Sequence, residues 1–112
     1  MDVEKFFLLL LHSLSNLDFV KEIDVHREVF IVKGRVYLEK KRILQVYFNQ
    51  ITGTTAFALI EEEKRLWGID FDNFKGWHLH PLESPESHKD INPPSSIDEI
   101  MKMLKSVWLS LG

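Results

Sequence analysis

Trp67-Gly68-Ile69-Asp70-Phe71-Asp72-Asn73 alternates residue by residue. Trp67, Ile69 and Phe71 share one side, and Gly68, Asp70 and Asp72 share the other. A period of two is the signature of a β-strand with one face buried. The same period extends toward the N-terminus. Leu44, Val46 and Phe48 alternate with Gln45, Tyr47 and Asn49, and Val36 and Leu38 oppose Lys33, Arg35 and Tyr37. Ile23 and Val25 alternate with charged neighbours, and Val29 and Ile31 extend that pattern. Thr52-Gly53 and Glu61-Glu62-Glu63-Lys64 read as turns, with a β-rich run from Thr54 to Ile60 between them. Residues 20–73 therefore predict an antiparallel meander of four or five strands with one buried face.

Helical spacing brackets this segment. From Val3 to about Leu17, Leu10, Leu14 and Leu17 recur on one face, which Phe6, Phe7, Leu9 and Leu11 widen. A helix this apolar is well buried or forms half of an interface. At the other end, Ser96-Ile97-Asp98-Glu99 has the form of a capping box. Ile97, Ile100, Met101, Leu104, Val107, Trp108 and Leu111 then make a stripe. Between the meander and this helix, residues 74–94 are broken by Gly76, Pro81, Pro85, Pro93 and Pro94. Sparse regular structure is expected there, with a short extended piece at Trp77–His80. The predicted fold is α+β over a single domain, residues 1–112: N-terminal helix, meander, histidine-bearing loop and C-terminal helix, with the helices on one face of the sheet.

Composition narrows the chemistry. The chain has 112 residues, a net charge of −3, five histidines and no cysteine. Without cysteine there is no disulfide scaffold, thiolate nucleophile, cysteine-ligated zinc or iron–sulfur cluster. The acidic balance disfavours a general nucleic-acid surface, so any such contact should be local. The longest apolar run, Phe6 to Leu11, is far short of the roughly 20 residues that span a bilayer. The acidic segment before it and the lack of a small-residue cleavage site disfavour a signal peptide. A soluble, cytoplasmic protein without membrane contact is expected.

Three of the five histidines, His78, His80 and His88, fall in the Pro-broken segment. In an extended chain His78 and His80 point to the same side. Two imidazoles so placed can divide proton donation and acceptance, or chelate a divalent metal. His88 adds a third nitrogen if the loop folds back. Asp70 and Asp72 are placed to orient a histidine or complete a metal shell. The plainer reading of Asp72-Asn73 is a turn, because Asx side chains bond the nearby backbone. His12 and His26, within regular elements, read as incidental. A second candidate surface is the Lys33, Arg35, Tyr37 face, followed by Lys40-Lys41-Arg42; cations around an aromatic suit a phosphate chain and a stacked base. Its plainer reading is a solvated, edge-protecting face. Trp77 is a candidate substrate contact or an anchor for the loop.

The Trp67–Asn73 strand, the His-Leu-His-Pro stretch at 78–81 and the later His88-Lys89 before a C-terminal helix resemble the TumE family, toxin components of prokaryotic toxin–antitoxin pairs. The resemblance runs from about Val32 to Leu111. This chain differs in having Gly68 and Ile69 before the aspartate and in interleaving Trp77 and Leu79 with the imidazoles. The resemblance implies a metal-independent ribonuclease, with no cofactor. His78, His80 and His88 would be its acid–base set, oriented by Asp70 and Asp72. Lys33 or Arg35 would stabilise the phosphorane charge. The implied partners are RNA and a protein antitoxin, which would cover the apolar part of the first helix. Two other readings stay open: a divalent-metal domain using His78, His80 and His88 with one aspartate, and a non-catalytic interaction module that forms a homodimer through the first helix.

Overall fold

A computed structural model describes residues 1–112. Helix α1 spans Val3–Leu14. Seven strands follow: β1 Val20–Arg27, β2 Ile31–Leu38, β3 Arg42–Asn49, β4 Thr55–Glu61, β5 Lys64–Asp72, β6 Gly76–His80 and β7 Lys89–Asp90. Helix α2, Ile97–Leu111, ends the chain. Spatial order equals sequence order, β1 to β7, and every neighbouring pair is antiparallel. Residues 20–73 carry five strands, within the expected number, and the Pro-broken segment adds two more. The expected extended piece at Trp77–His80 is β6. Pro81 stops it, since proline cannot donate to the ladder.

The core joins the apolar sheet face to both helices. Val32, Val36, Leu44, Phe57, Leu59 and Ile69 are almost fully buried, together with Phe6, Leu10 and Leu14 of α1 and Met101 and Leu104 of α2. Phe6 stacks on Phe48 at 4.3 Å between ring centroids, and Phe19 stacks on Trp108 at 4.2 Å. The alternation read for β2, β3 and β5 is the observed one. At the β1–β2 hairpin it is not: Glu28 to Phe30 form the turn, Val29 is exposed, and Val32 rather than Ile31 is buried. Apolar turn residues there mimic a continuing strand.

Both helices start where their caps place them. The Asp2 carboxylate accepts from the Lys5 N–H at 2.7 Å. Ser96 Oγ accepts from the Glu99 N–H at 3.1 Å, as the capping box requires. Glu99 reaches back one residue further than expected, to the Ser95 N–H at 2.7 Å. These hydrogen bonds from Ser95 hold the Glu99 carboxyl below its usual range. Helix α1 ends at Leu14, three residues before the expected Leu17. No helix is long and apolar enough to cross a membrane.

Candidate metal centre

Cross-strand register builds the site. Asp70 on β5 pairs with His78 on β6, and Gly68 pairs with His80. Leu79 pairs with Lys89, so the next step brings His88 opposite His80. Asp70, His78, His80 and His88 thus meet on the sheet face opposite the core. Each of the three histidines offers a ring nitrogen, all within 4.8 Å of one another. His78 and His80 are buried, while His88 is exposed.

The ring orientations are set by the backbone. His78 Nδ1 lies 3.3 Å from the Gly76 carbonyl, and His80 Nδ1 lies 3.1 Å from the Pro85 carbonyl. A carbonyl only accepts, so in each of these contacts Nδ1–H is the donor, which leaves Nε2 to face the interior of the cluster. Both Nε2 atoms are aimed at one carboxylate. His78 Nε2 touches Asp70 Oδ1, and His80 Nε2 lies 3.4 Å from Asp70 Oδ2. The buried Asp70 Oδ1 has no hydrogen-bond partner. Burial, and then the positive charge of Arg65, push the His80 pKa below its ordinary value, against the opposing pull of Asp70. His80 therefore stays neutral near pH 7, the form that ligates a metal.

Asp72 is not part of this cluster. Its Oδ1 accepts from the N–H groups of Phe74 at 2.9 Å and Lys75 at 2.7 Å, and the Lys75 hydrogen bond chiefly lowers its pKa. It is the Asx turn of the plainer reading. Trp77 also lies away from the cluster, on the core side, with its ring 5.4 Å from that of Phe71. Lys33, Arg35 and Tyr37 do share the open face with the histidines, but on β2, three strands from β5. His26 pairs with Asp24 at 2.8 Å in solvent, as expected for an incidental histidine.

No family model, curated protein or solved structure matches the chain.

One residue of the site escapes strict alternation. Arg65 should share the core side with Trp67. The β4–β5 ladder has a bulge: Leu59 pairs with Trp67, but Ile60 pairs with Arg65, leaving Leu66 extra. A bulge reverses the facing of everything beyond it. Arg65 accordingly turns onto the open face, where it borders the cavity holding Asp70, His80 and His88. Its side chain lies over Gly68; a Cβ there would sit 3.5 Å from Arg65 Cδ and 3.0 Å from the Phe57 carbonyl oxygen. The sequence signal was Gly68 itself, a glycine inside a strand, which marks a bulge or a close approach.

Proposed function

We propose that this domain binds a divalent transition metal, zinc by chemistry, through His78, His80 and His88, with Asp70 as fourth ligand or as the carboxylate that orients the rings. The observation that carries this reading is the convergence of three histidine ring nitrogens, within 4.8 Å of one another, beside the buried Asp70 Oδ1, which has no hydrogen-bond partner. A cation bound at this cluster would give the buried Asp70 Oδ1 a partner. The spacing suits zinc: a tetrahedral site with zinc–nitrogen bonds of about 2.0–2.1 Å has ligand edges of about 3.3 Å. His80 Nε2 and Asp70 Oδ2 are already 3.4 Å apart. The widest nitrogen pair is no more than 4.8 Å apart, and the exposed, loop-borne His88 can make up the difference. Nδ1 donation to backbone carbonyls is the outer-shell arrangement that fixes metal-ligating histidines. Imidazole with carboxylate suits zinc or a neighbouring transition metal rather than magnesium or calcium.

The test is zinc titration of chelator-stripped protein. One zinc per chain should bind, and at a hundredfold excess over Kd the domain gains about 2.7 kcal/mol, a rise in melting temperature on the order of 10 °C. Absence of stoichiometric zinc binding, or equal binding by a His78→Ala/His80→Ala variant, defeats the reading.

The TumE resemblance supports a second reading, a cytoplasmic toxin acting on RNA and held by a protein antitoxin. What supports it is that the histidine–aspartate cluster falls within the segment carrying the resemblance. In this reading an antitoxin or a second copy covers the exposed Leu8 and Leu9 of α1. The metal-independent form is less well supported, because His78 and His80 turn their Nε2 atoms to Asp70 rather than to solvent. Expression of wild type and of the His78→Ala/His80→Ala variant in a sensitive cell tests it. The toxin reading expects arrested growth and degraded RNA for wild type alone, and equal growth with intact RNA overturns it.

A further inference from the structure

The open sheet face leads from the histidine cluster to an unpaired basic patch, along two rows of directly paired residues. One row runs Arg35–Gln45–Ala58–Gly68–His80. The adjacent row runs Lys33–Tyr47–Ala56–Asp70–His78. Each row begins with a cation on β2 and ends at a histidine of the cluster. In the middle, Ala56, Ala58 and Gly68 leave a low floor. A groove of about 500 Å³ lies over Ala56 and Ala58 and is flanked by Tyr37 and Tyr47, with Arg35 and Arg65 at its sides and Asp24 at its β1 edge. Arg65 borders both this groove and the histidine cavity.

The charges are available. Neither Arg35 nor Arg65 has a carboxylate within 4.0 Å; Asp24, directly across from Arg35, is taken by His26 instead. Lys33 makes only an exposed contact with Glu28 at 3.4 Å, an interaction of little strength. Stability does not explain two unpaired guanidinium groups facing one groove, beside a strand bulge that turns one of them there. Guanidinium groups match phosphate oxygens in a planar fork, and half-buried tyrosine rings offer stacking platforms for bases.

We propose that this face binds single-stranded nucleic acid, with its phosphodiester backbone running from Lys33 and Arg35 across the alanine floor to Arg65 at the edge of the metal centre. Strand-to-strand spacing of about 4.8 Å puts β2 about 14 Å from β5, room for a few nucleotides. The local basic groove answers the acidic net charge, since a short track needs only a few cations. The inference rests on the metal reading only for what lies at the end of the track. Binding along the groove needs no metal, and Arg35 and Arg65 are not metal ligands.

The experiment is fluorescence anisotropy at low salt with labelled 12-nucleotide oligouridylate and oligothymidylate, on chelator-stripped and on zinc-loaded protein. Stripped wild type should bind at least one of the two strands and should prefer it to a duplex of the same length. Arg35→Ala and Arg65→Ala should each weaken binding about tenfold, and Arg65→Lys should recover part of the loss. Zinc affinity, measured on Arg35→Ala, whose side chain does not border the histidine cavity, should stay within threefold of wild type, which separates failure of the groove from failure of the metal site. The far-side control Lys105→Ala should bind as wild type. The proposal is overturned if neither single strand binds, if Lys105→Ala weakens binding as much as Arg65→Ala, or if polyglutamate of equal charge binds as tightly as the nucleic acid.

Discussion

On one face of β5 and β6, Trp67, Ile69 and Leu79 pack into the core; on the other lie Gly68, Asp70, His78 and His80, with Asp70 and His80 lining a cavity. Both faces come from one alternation, yet they are held differently. The core face satisfies itself by burying apolar area, which needs no particular partner. The open face buries two imidazoles and part of a carboxylate and leaves Asp70 Oδ1 without a donor. Stability alone does not place an unpaired buried oxygen there, because burial without a partner is unfavourable. The difference teaches that the core face specifies the fold, while the open face holds an arrangement that a ligand completes.

Four perturbations probe that difference, in falling order of effect. Leu44 is fully buried on β3, on the sheet face opposite the histidines. Leu44→Ala should cost about 2–5 kcal/mol in urea unfolding. Chelator and zinc should then shift its stability by as much as they shift wild type. Loss of the zinc effect together with the core stability would show that the two faces are not separable.

Asp70→Ala should reverse sign with metal. In stripped protein, removing the unpaired oxygen should leave stability unchanged or raise it by about 1 kcal/mol. With zinc present, the variant should bind at least tenfold more weakly than wild type. Destabilisation of the stripped variant would mean that Asp70 is an ordinary structural partner of His78.

The β4–β5 hairpin next to the site turns through Glu62 and Glu63, both at positive φ, 51° and 65°. Two such residues form the turn that favours Asn-Gly. Glu62→Asn/Glu63→Gly should therefore raise thermal stability by about 1 kcal/mol and leave zinc affinity untouched. A fall in zinc affinity would show that the strained turn helps to position Arg65 and the bulge.

The smallest effect belongs to the α2 cap. Folding lowers the Glu99 pKa through its Ser95 hydrogen bonds. A lowered carboxylate pKa contributes stability above the unfolded value, here near 4.5, and loses it as pH falls through the folded value. Glu99→Gln should therefore lower stability slightly at pH 7, with the difference closing below about pH 4. A gap of constant size across pH 3–7 would remove the charge from the explanation.

The meander of residues 20–73, the faces of β2, β3 and β5 and the two helices were legible in the sequence, whereas β7 was not. Alternation in β2, β3 and β5 and the Ser96 cap are local signals, set within a few residues by side-chain period and backbone hydrogen bonding. The sequence also placed His78 and His80 together, because His-x-His in an extended chain must share a side. It misled at Val29 and Ile31, where a turn carries apolar residues, and left Asp72 with two readings, turn and ligand support.

Tertiary structure alone decided which of the candidates meet. Sequence shows that Asp70 and His78 each face one way; only the β5–β6 register sets them opposite each other. His88 reaches His80 because the chain from Pro81 to His88 returns to pair as β7, a long-range contact that no local period encodes. Arg65 joins them through a single extra residue, Leu66, which reverses its facing. Register and bulges are settled by how neighbouring strands fit together, and that fit depends on residues distant along the chain.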